Sequence, residues 1–346
     1  MKQKQNNKYL WIASFLAMTL CTMVSCTKEI KFNGEQIDPK LVLNSLMEPG
    51  NPIWVNASKS VFFLNDEANT EAPDDLVVTL YVNGNRIGEM MPHKDTIYYY
   101  DGWSYYDAIP GKAITVYTHD YCPVEGDVIK ITASANGFDD VEATTSPLPN
   151  NVNWRIAGCQ PSQWEVSFDD YEGDTIWTIS GQYELSVEIT DPNPGQTDYL
   201  RIHAEGDSYY DYETGNFISY STFYDDPIFG VNVSNSDFID IDFQERPEGV
   251  FTDALFDGRS YQIKLPLSIY ISYRNEFPIY TLQMPISLEH LSKEYYYYLN
   301  TCQQAGEIMQ FFAEPIQTYS NVDKGYGLVG GMKIDTLWYT LPLEER

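Results

Sequence analysis

From residue 41 onward the chain is dominated by short runs in which apolar and polar residues alternate. LVLNSLM (41–47), IWVNAS (53–58), LVVTLYV (76–82), RIGEMM (86–91), TIYYY (96–100), AITVYTH (113–119) and DVIKITAS (127–134) each read as a half-buried strand. Turn signals separate them, among them Asn83-Gly84 and Asn136-Gly137. About seven strands over about 110 residues, closing on VEATTSPLP, fit an immunoglobulin-like β-sandwich over 38–149. Pro147-Leu148-Pro149-Asn150-Asn151 then reads as a linker.

The pattern resumes in WEVSFD (164–169), TIWTIS (175–180), YELSVEI (183–189), YLRIHAEG (199–206), FIDIDF (238–243), YQIKLPLSIYISY (261–273) and PIYTLQMPI (278–286). This predicts a second, larger β-rich domain over 150–346, a sandwich or an open barrel, with the tyrosine-rich segment 207–230 as a loop or hairpin. The fold class expected is therefore mainly β, with one exception to the period of two. In SLEHLSKEYYYYLNTCQQAGEIMQFF (287–312), Leu288, Leu291, Tyr295, Tyr298, Leu299, Cys302, Ala305 and Met309 recur at three- and four-residue steps. That spacing predicts an amphipathic helix near 287–309, with Ser287 as N-cap and Glu289 in the first turn. It turns Tyr295 and Tyr298 inward and Tyr296 and Tyr297 to the sides.

The first 25 residues follow a different logic. Lys2, Lys4 and Lys8 precede an apolar run from Leu10 to Val24, shorter than the roughly 20 residues a spanning helix needs, so the layout is that of an export signal. Met23-Val24-Ser25-Cys26 then matches a bacterial lipobox, in which Cys26 becomes the first residue and carries acyl chains. On this reading 1–25 is a lipoprotein signal peptide and 26–37 a tether. Palmitate-type acylation at Cys26 would hold the protein on a membrane from outside.

Charge narrows the partners. The formal net charge is −29, and loss of the three leader lysines takes it to −32. Such a surface repels phosphate, which argues against nucleic acid and favours cations and solubility. Cys122, Cys159 and Cys302 are scattered and odd in number, which supports neither a disulfide framework nor a zinc site, although the exported context permits one bridge. Aromatic residues make up 15% of the chain, including 28 tyrosines, in keeping with strands.

Catalytic signatures are not found: there is no G-x-S-x-G, H-E-x-x-H, Walker loop or dinucleotide fingerprint, and His93, His119, His203 and His290 are dispersed. His290 falls on the predicted polar helix face, where a solvated surface histidine is the ordinary reading. No cofactor is expected except calcium. Asp169, Asp170 and Asp174 form one acidic loop and Asp211 and Glu213 another, each with a glycine but neither with the closing glutamate of an EF-hand. Two clusters combine aromatics with Asp, Gly and Ser: TIYYYDGWSYYDAIPG, with Tyr98, Tyr99, Trp103, Tyr105 and Tyr106, and SYYDYETGNF, with Tyr209, Tyr210 and Tyr212. Amphipathic rings of this kind stack on sugars or dock peptides, and they also pack between strands; both readings stand.

The run ISLEHLSKEYYYYLNTCQQAG followed by FFAEPIQTYSNVDKGYGLVGG (311–331), together with Cys26-Thr27-Lys28-Glu29-Ile30, LVLNSLM and VEATTSPLP, resembles a Bacteroidetes outer-membrane lipoprotein family catalogued as domain-of-unknown-function family 4249. The resemblance covers the whole mature chain and supplies no catalytic motif. It implies a non-enzymatic, lipid-anchored protein facing the cell exterior, serving as an accessory subunit of a TonB-dependent uptake system. A freestanding glycan- or peptide-binding adhesin is the alternative, and an undetected hydrolase the second. Lys28-Glu29 resembles the charged surface-export signal of these bacteria. Thr96, Thr175 and Thr336, each in an Asp-Thr-aliphatic triplet, resemble their O-glycosylation sites.

Overall fold

The structure is a computed structural model and describes residues 38–61, 70–99, 109–171, 173–204, 209–210, 217–230, 249–274, 281–306 and 318–342. Pro39–Arg346 form one compact unit. In chain order the strands are β1 (Leu41–Met47), β2 (Ile53–Lys59), β3 (Val77–Val82), β4 (Asn85–Glu89), β5 (Met91–Tyr99), β6 (Ile109–His119), β7 (Ile129–Ser134), β8 (Val141–Thr144) and β9 (Asn153–Tyr171). They continue as β10 (Asp174–Thr190), β11 (Tyr199–Ala204), β12 (Tyr209–Tyr210), β13 (Phe217–Thr222), β14 (Val250–Thr252), β15 (Ser260–Arg274), β16 (Thr281–Leu291), β17 (Val322–Asp323) and β18 (Val329–Pro342). The α-helix among the described residues, α1, spans Lys293–Gly306 and sits between β16 and β17.

Among the described residues these strands form three sheets. The largest has the order β14-β11-β16-β18-β1-β2-β6-β5, and the other two are β12-β13-β15-β10-β9 and β17-β8-β7-β3-β4. Alternation in the sequence becomes alternation in burial. Leu41, Leu43 and Met47 of β1 and Ile53, Val55 and Ala57 of β2 face Val78, Leu80, Ile129, Ile131 and Ala143 of the third sheet, forming a first sandwich core. Leu185, Val187 and Ile189 of β10 and Leu265, Leu267 and Ile269 of β15 face Leu200 and Ile202 of β11 and Met284, Ile286 and Leu288 of β16, forming a second. Each buried aliphatic side chain contributes about 1.5–3 kcal/mol. The larger region is thus a sandwich and not a closed barrel.

The two cores share the eight-stranded sheet. β18 pairs with β16 antiparallel along Thr281–Leu291 and with β1 in parallel, Ser45 opposite Val329 and Met47 opposite Gly331. The parallel pairing continues outside the strands, where Leu43 N–H donates to Tyr326 O at 2.9 Å and Tyr326 N–H to Leu41 O at 3.0 Å. Val322 and Val329, near the end of the chain, accordingly belong to the first core. Leu148 also packs in that core, whereas Trp154, six positions on, packs in the second, its indole N–H donating to Asp335 Oδ2 at 2.7 Å.

The C-terminal helix begins later than its apolar spacing predicts. Ser287 is not an N-cap: it lies in β16 opposite Thr336, and the two hydroxyls are 2.9 Å apart. Ser292 is the capping residue, its Oγ accepting from Tyr295 N–H at 3.4 Å and from Gly331 N–H at 3.0 Å. The physical reason is double burial. β16 runs between β11 and β18 with α1 packed over its end, so Ile286 to Leu291 are buried on both faces and period two disappears there. The tyrosines shift accordingly. Tyr296 is the buried one, its ring 4.6 Å from that of Tyr199, while Tyr295, Tyr297 and Tyr298 are half-buried. The segment 207–230 contains a hairpin, Tyr209 opposite Ile218 and Tyr210 opposite Phe217.

Candidate functional site

Among the described residues, a concentrated polar cluster lies where the second sandwich hands its chain from one sheet to the other. β10 ends at Thr190, paired with Ser260 at the start of β15, and β11 starts at Tyr199, paired with Thr252 at the end of β14. Those two pairs clamp the segments 191–198 and 253–259 at both ends, so they must face each other. The first, Asp-Pro-Asn-Pro-Gly-Gln-Thr-Asp, is a loop because two prolines remove donors and Gly195 has φ +84°. The second opens with a 3₁₀ turn, Asp253–Leu255.

Carboxylates staple the two segments together. Asp191 Oδ1 accepts from Asn193 N–H at 2.8 Å, and Oδ2 accepts from Gly258 N–H. Asp257 Oδ1 accepts from Gly195 N–H at 2.7 Å, and Asp253 Oδ1 from Asp198 N–H at 3.1 Å. One carboxylate oxygen from each of Asp191, Asp253 and Asp257 lies within 4.8 Å of the other two. Asp191 and Asp253 are buried and Asp257 is exposed. Burial, then the neighbouring charges of Asp198, Asp191 and Asp257, push the Asp253 carboxyl up to about 6 despite its backbone hydrogen bond.

Asp198 connects this cluster to a second network. Its Oδ1 accepts from Asn193 Nδ2 at 2.7 Å and stands 3.1 Å from His290 Nε2, while His290 Nδ1 is 2.9 Å from the carbonyl oxygen of Asn150. The side-chain amides of Asn150 and Asn193 are also paired, at 3.2 and 3.3 Å. Burial alone would raise the Asp198 carboxyl, but hydrogen bonds from His290 and Asn193 and the His290 charge outweigh it and hold it below the ordinary range. His290 is therefore not on a polar helix face. It is a buried residue of β16 whose two ring nitrogens are both taken by protein oxygens, so the ring acts as a strut between the linker and the loop. Elsewhere, His119 Nδ1 accepts from Tyr121 N–H at 3.0 Å, and His203 Nε2 lies 3.6 Å from Glu289 Oε1.

The residues singled out from sequence are distributed elsewhere. Asp169 and Asp170 are exposed on β9 and Asp174 begins β10; Thr175 Oγ1 donates to Asp170 Oδ1 at 2.7 Å, and Arg274 Nη1 to Asp174 Oδ2 at 3.3 Å. Asp211, Glu213, Tyr212, Trp103, Tyr105 and Tyr106 lie outside the described residues. The backbones of Tyr98 and Tyr99 pair with Pro110 and Ile109 across β5 and β6, and Tyr209 and Tyr210 form β12. Thr96 is half-buried on β5, Thr175 half-buried on β10, and Thr336 exposed on β18. Cys26 lies outside the described residues, and Cys122, Cys159 and Cys302 are free thiols. Sequence reasoning passed over Asp191, Asn193, Asp198, Asp253 and Asp257. The only local signal was the turn composition of 191–195, which marks a loop and says nothing of a distant partner.

Comparison with solved structures gives weak likenesses. The CFA/I enterotoxigenic E. coli adhesin CfaE is 11% identical over 89% of this chain and 88% of its own, with a TM-score of 0.16. The collagen adhesin of S. aureus is 9% identical over 88% and 94%, with a TM-score of 0.09. These scores carry no argument about fold or ligand. Among curated proteins nothing matches the chain. A family model, however, spans residues 27–337, from the position after Cys26 through β16, α1 and into β18, and on that match the chain belongs to the family described as domain of unknown function (DUF4249).

Proposed function

We propose that this is a lipid-anchored, non-enzymatic protein of the bacterial outer membrane, facing the exterior and serving as an accessory subunit of a TonB-dependent uptake system. The supporting observation is a coincidence of three boundaries. The charged and apolar leader ends at Cys26, the family match opens at residue 27, and the compact β unit opens at Pro39. An acylated terminal cysteine provides more than the two signals that stable anchoring takes.

The test combines anchoring with company. Wild-type protein in its native host should incorporate radiolabelled palmitate and sediment with membranes, and Cys26→Ala should lose both properties. Whole-cell protease shaving should degrade the wild type. Capture from native membranes in mild detergent should recover a large β-barrel transporter, and recovery of the protein alone would overturn the subunit reading. One observation favours a second reading, a glycan- or peptide-binding adhesin: Phe168 is 61% exposed, and its ring lies 5.1 Å from that of Trp177 near the tip of the β9–β10 hairpin. Ligand-array binding that survives transporter deletion and is lost in Phe168→Ala would select it.

A further inference from the structure

We propose that Asp191, Asp253 and Asp257 bind a calcium ion that locks the 191–198 loop to the 253–259 turn. The first observation is geometric. Three carboxylate oxygens, drawn from two connections far apart in sequence, lie within 4.8 Å of one another. Calcium takes oxygen ligands at about 2.3–2.6 Å, so oxygens on opposite sides of one ion stand about 4.8 Å apart. A set with this spread fits around a single ion.

The second observation concerns one oxygen. Asp253 is 2% exposed, its Oδ1 accepts from Asp198 N–H, and its Oδ2 is buried with no hydrogen-bond partner. An enclosed carboxylate oxygen without a donor costs about 1–3 kcal/mol or more, and native proteins rarely leave one so. Among the described residues no Lys or Arg forms an ion pair with Asp191, Asp253 or Asp257. The orphan oxygen and the charge it shares with two neighbours are both satisfied by one divalent cation.

The donor set selects among metals. Carboxylates without thiolate or imidazole are hard ligands suited to calcium or magnesium rather than zinc or copper. Magnesium holds its oxygens at about 2.0–2.1 Å in a strict octahedron, whereas calcium tolerates irregular loops and accepts water on an open side. Asp257, exposed, supplies that open side. The site lies apart from the acidic hairpin at Asp169, Asp170 and Asp174, where Asp170 and Asp174 already have Thr175 and Arg274 as partners.

The experiment is thermal unfolding of the full mature chain, stripped with EDTA and then titrated with calcium chloride. At a hundredfold excess over Kd, Tm should rise by about 4 °C for a chain of this length. Asp257→Asn keeps the acceptor for Gly195 N–H but loses a charge, and it should abolish the rise while folding normally without metal. Asp253→Asn should abolish it as well, and if that variant does not fold, Asp257→Asn alone decides. No calcium-dependent rise in the wild type, or an undiminished rise in Asp257→Asn, overturns the site. An equal rise with magnesium chloride overturns the assignment to calcium.

Discussion

Replacing Glu294 with alanine should cost about 2–3 kcal/mol of stability, because this side chain ties α1 to the turn that leaves the first core. Glu294 is the second residue of the helix and 8% exposed. Its Oε1 accepts from Ser146 N–H at 3.0 Å and its Oε2 from Ser146 Oγ–H at 2.9 Å, across 148 positions of sequence. Hydrogen bonds to a charged acceptor are worth about 1.5–3 kcal/mol each. Ser146 is half-buried, so water recovers part of that when the carboxylate is removed. Loss of an acid from the first helical turn adds about 0.3–1 kcal/mol. Glu294→Gln retains one oxygen acceptor and should lose about 1 kcal/mol. Equilibrium urea unfolding at neutral pH, followed by tryptophan fluorescence and far-UV circular dichroism, measures both. With an m-value of about 3 kcal/mol/M, the alanine midpoint falls by about 0.8 M at unchanged slope. A loss below about 0.5 kcal/mol, or a glutamine variant as damaged as the alanine, would refute the reasoning. Because β1 and β18 make one sheet of both cores, the two probes should also report a single transition.

Other positions give independent checks. Asp127 is buried in the first sandwich; burial would raise its carboxyl, but Val124 N–H, Asn83 Nδ2 and Tyr121 Oη donate to it and hold it below its ordinary value. A depressed carboxyl contributes stability above its unfolded pKa and loses it as pH falls through the folded one. Asp127→Asn should therefore be about 2 kcal/mol less stable at pH 7, with the gap closing below about pH 4, and a gap constant with pH would count against this. Gly327 has φ +113°, and a Cβ there would lie 2.1 Å from the Leu43 carbonyl oxygen, so Gly327→Ala should lose more than about 4 kcal/mol or fail to fold. Gly50, φ +94° with open space around it, should lose only about 1–2 kcal/mol on the same change, and equal losses would show that the clash is not what matters. Burial pushes the Cys159 thiol up to about 12, so iodoacetamide at pH 8 should label exposed Cys122 and Cys302 in the native protein and Cys159 only after unfolding, as read by peptide mass mapping.

Strands with one wet face were legible in the sequence. LVLNSLM became β1 with alternating burial along its length, and IKITAS became β7 in the same way. Long strands were harder to read. TIWTIS and YELSVEI are one strand, β10, running through Gly181 and Gln182, where the glycine that suggests a turn instead precedes a register shift against β9 between Gln182 and Tyr183. The first half of β9 carries Gly158 and Pro161 and gave no strand signal, yet β9 is the edge of its sheet and Pro161 stands at the register shift opposite Tyr183, places where a strand tolerates proline. The first half of β16 was legible in PIYTLQMPI, but its end, Ser287 to Leu291, was misread for the opposite reason, since it is buried on both faces and Leu288 and Leu291, on opposite faces, stand at a helical spacing by coincidence.

The candidate site was illegible for a reason that local reading cannot overcome. Acidic residues close in sequence, as at 169–174, share one loop, and a scan by spacing finds them whether or not they converge. Asp191 and Asp253 belong to different connections, and no motif joins them. What brings them together is register: Thr190 opposite Ser260 and Tyr199 opposite Thr252 leave each connection no course except across the face of the other. Reading that pairing from the strands first would have named Asp191, Asp198, Asp253 and Asp257 as neighbours before any side chain was placed. The same route would have put His290 beside them, because β16 pairs with β11 with His290 opposite Leu200, two residues along from Asp198. Functional residues in a sandwich of this kind are therefore better sought at the ends of paired strands than along runs of matching residue types.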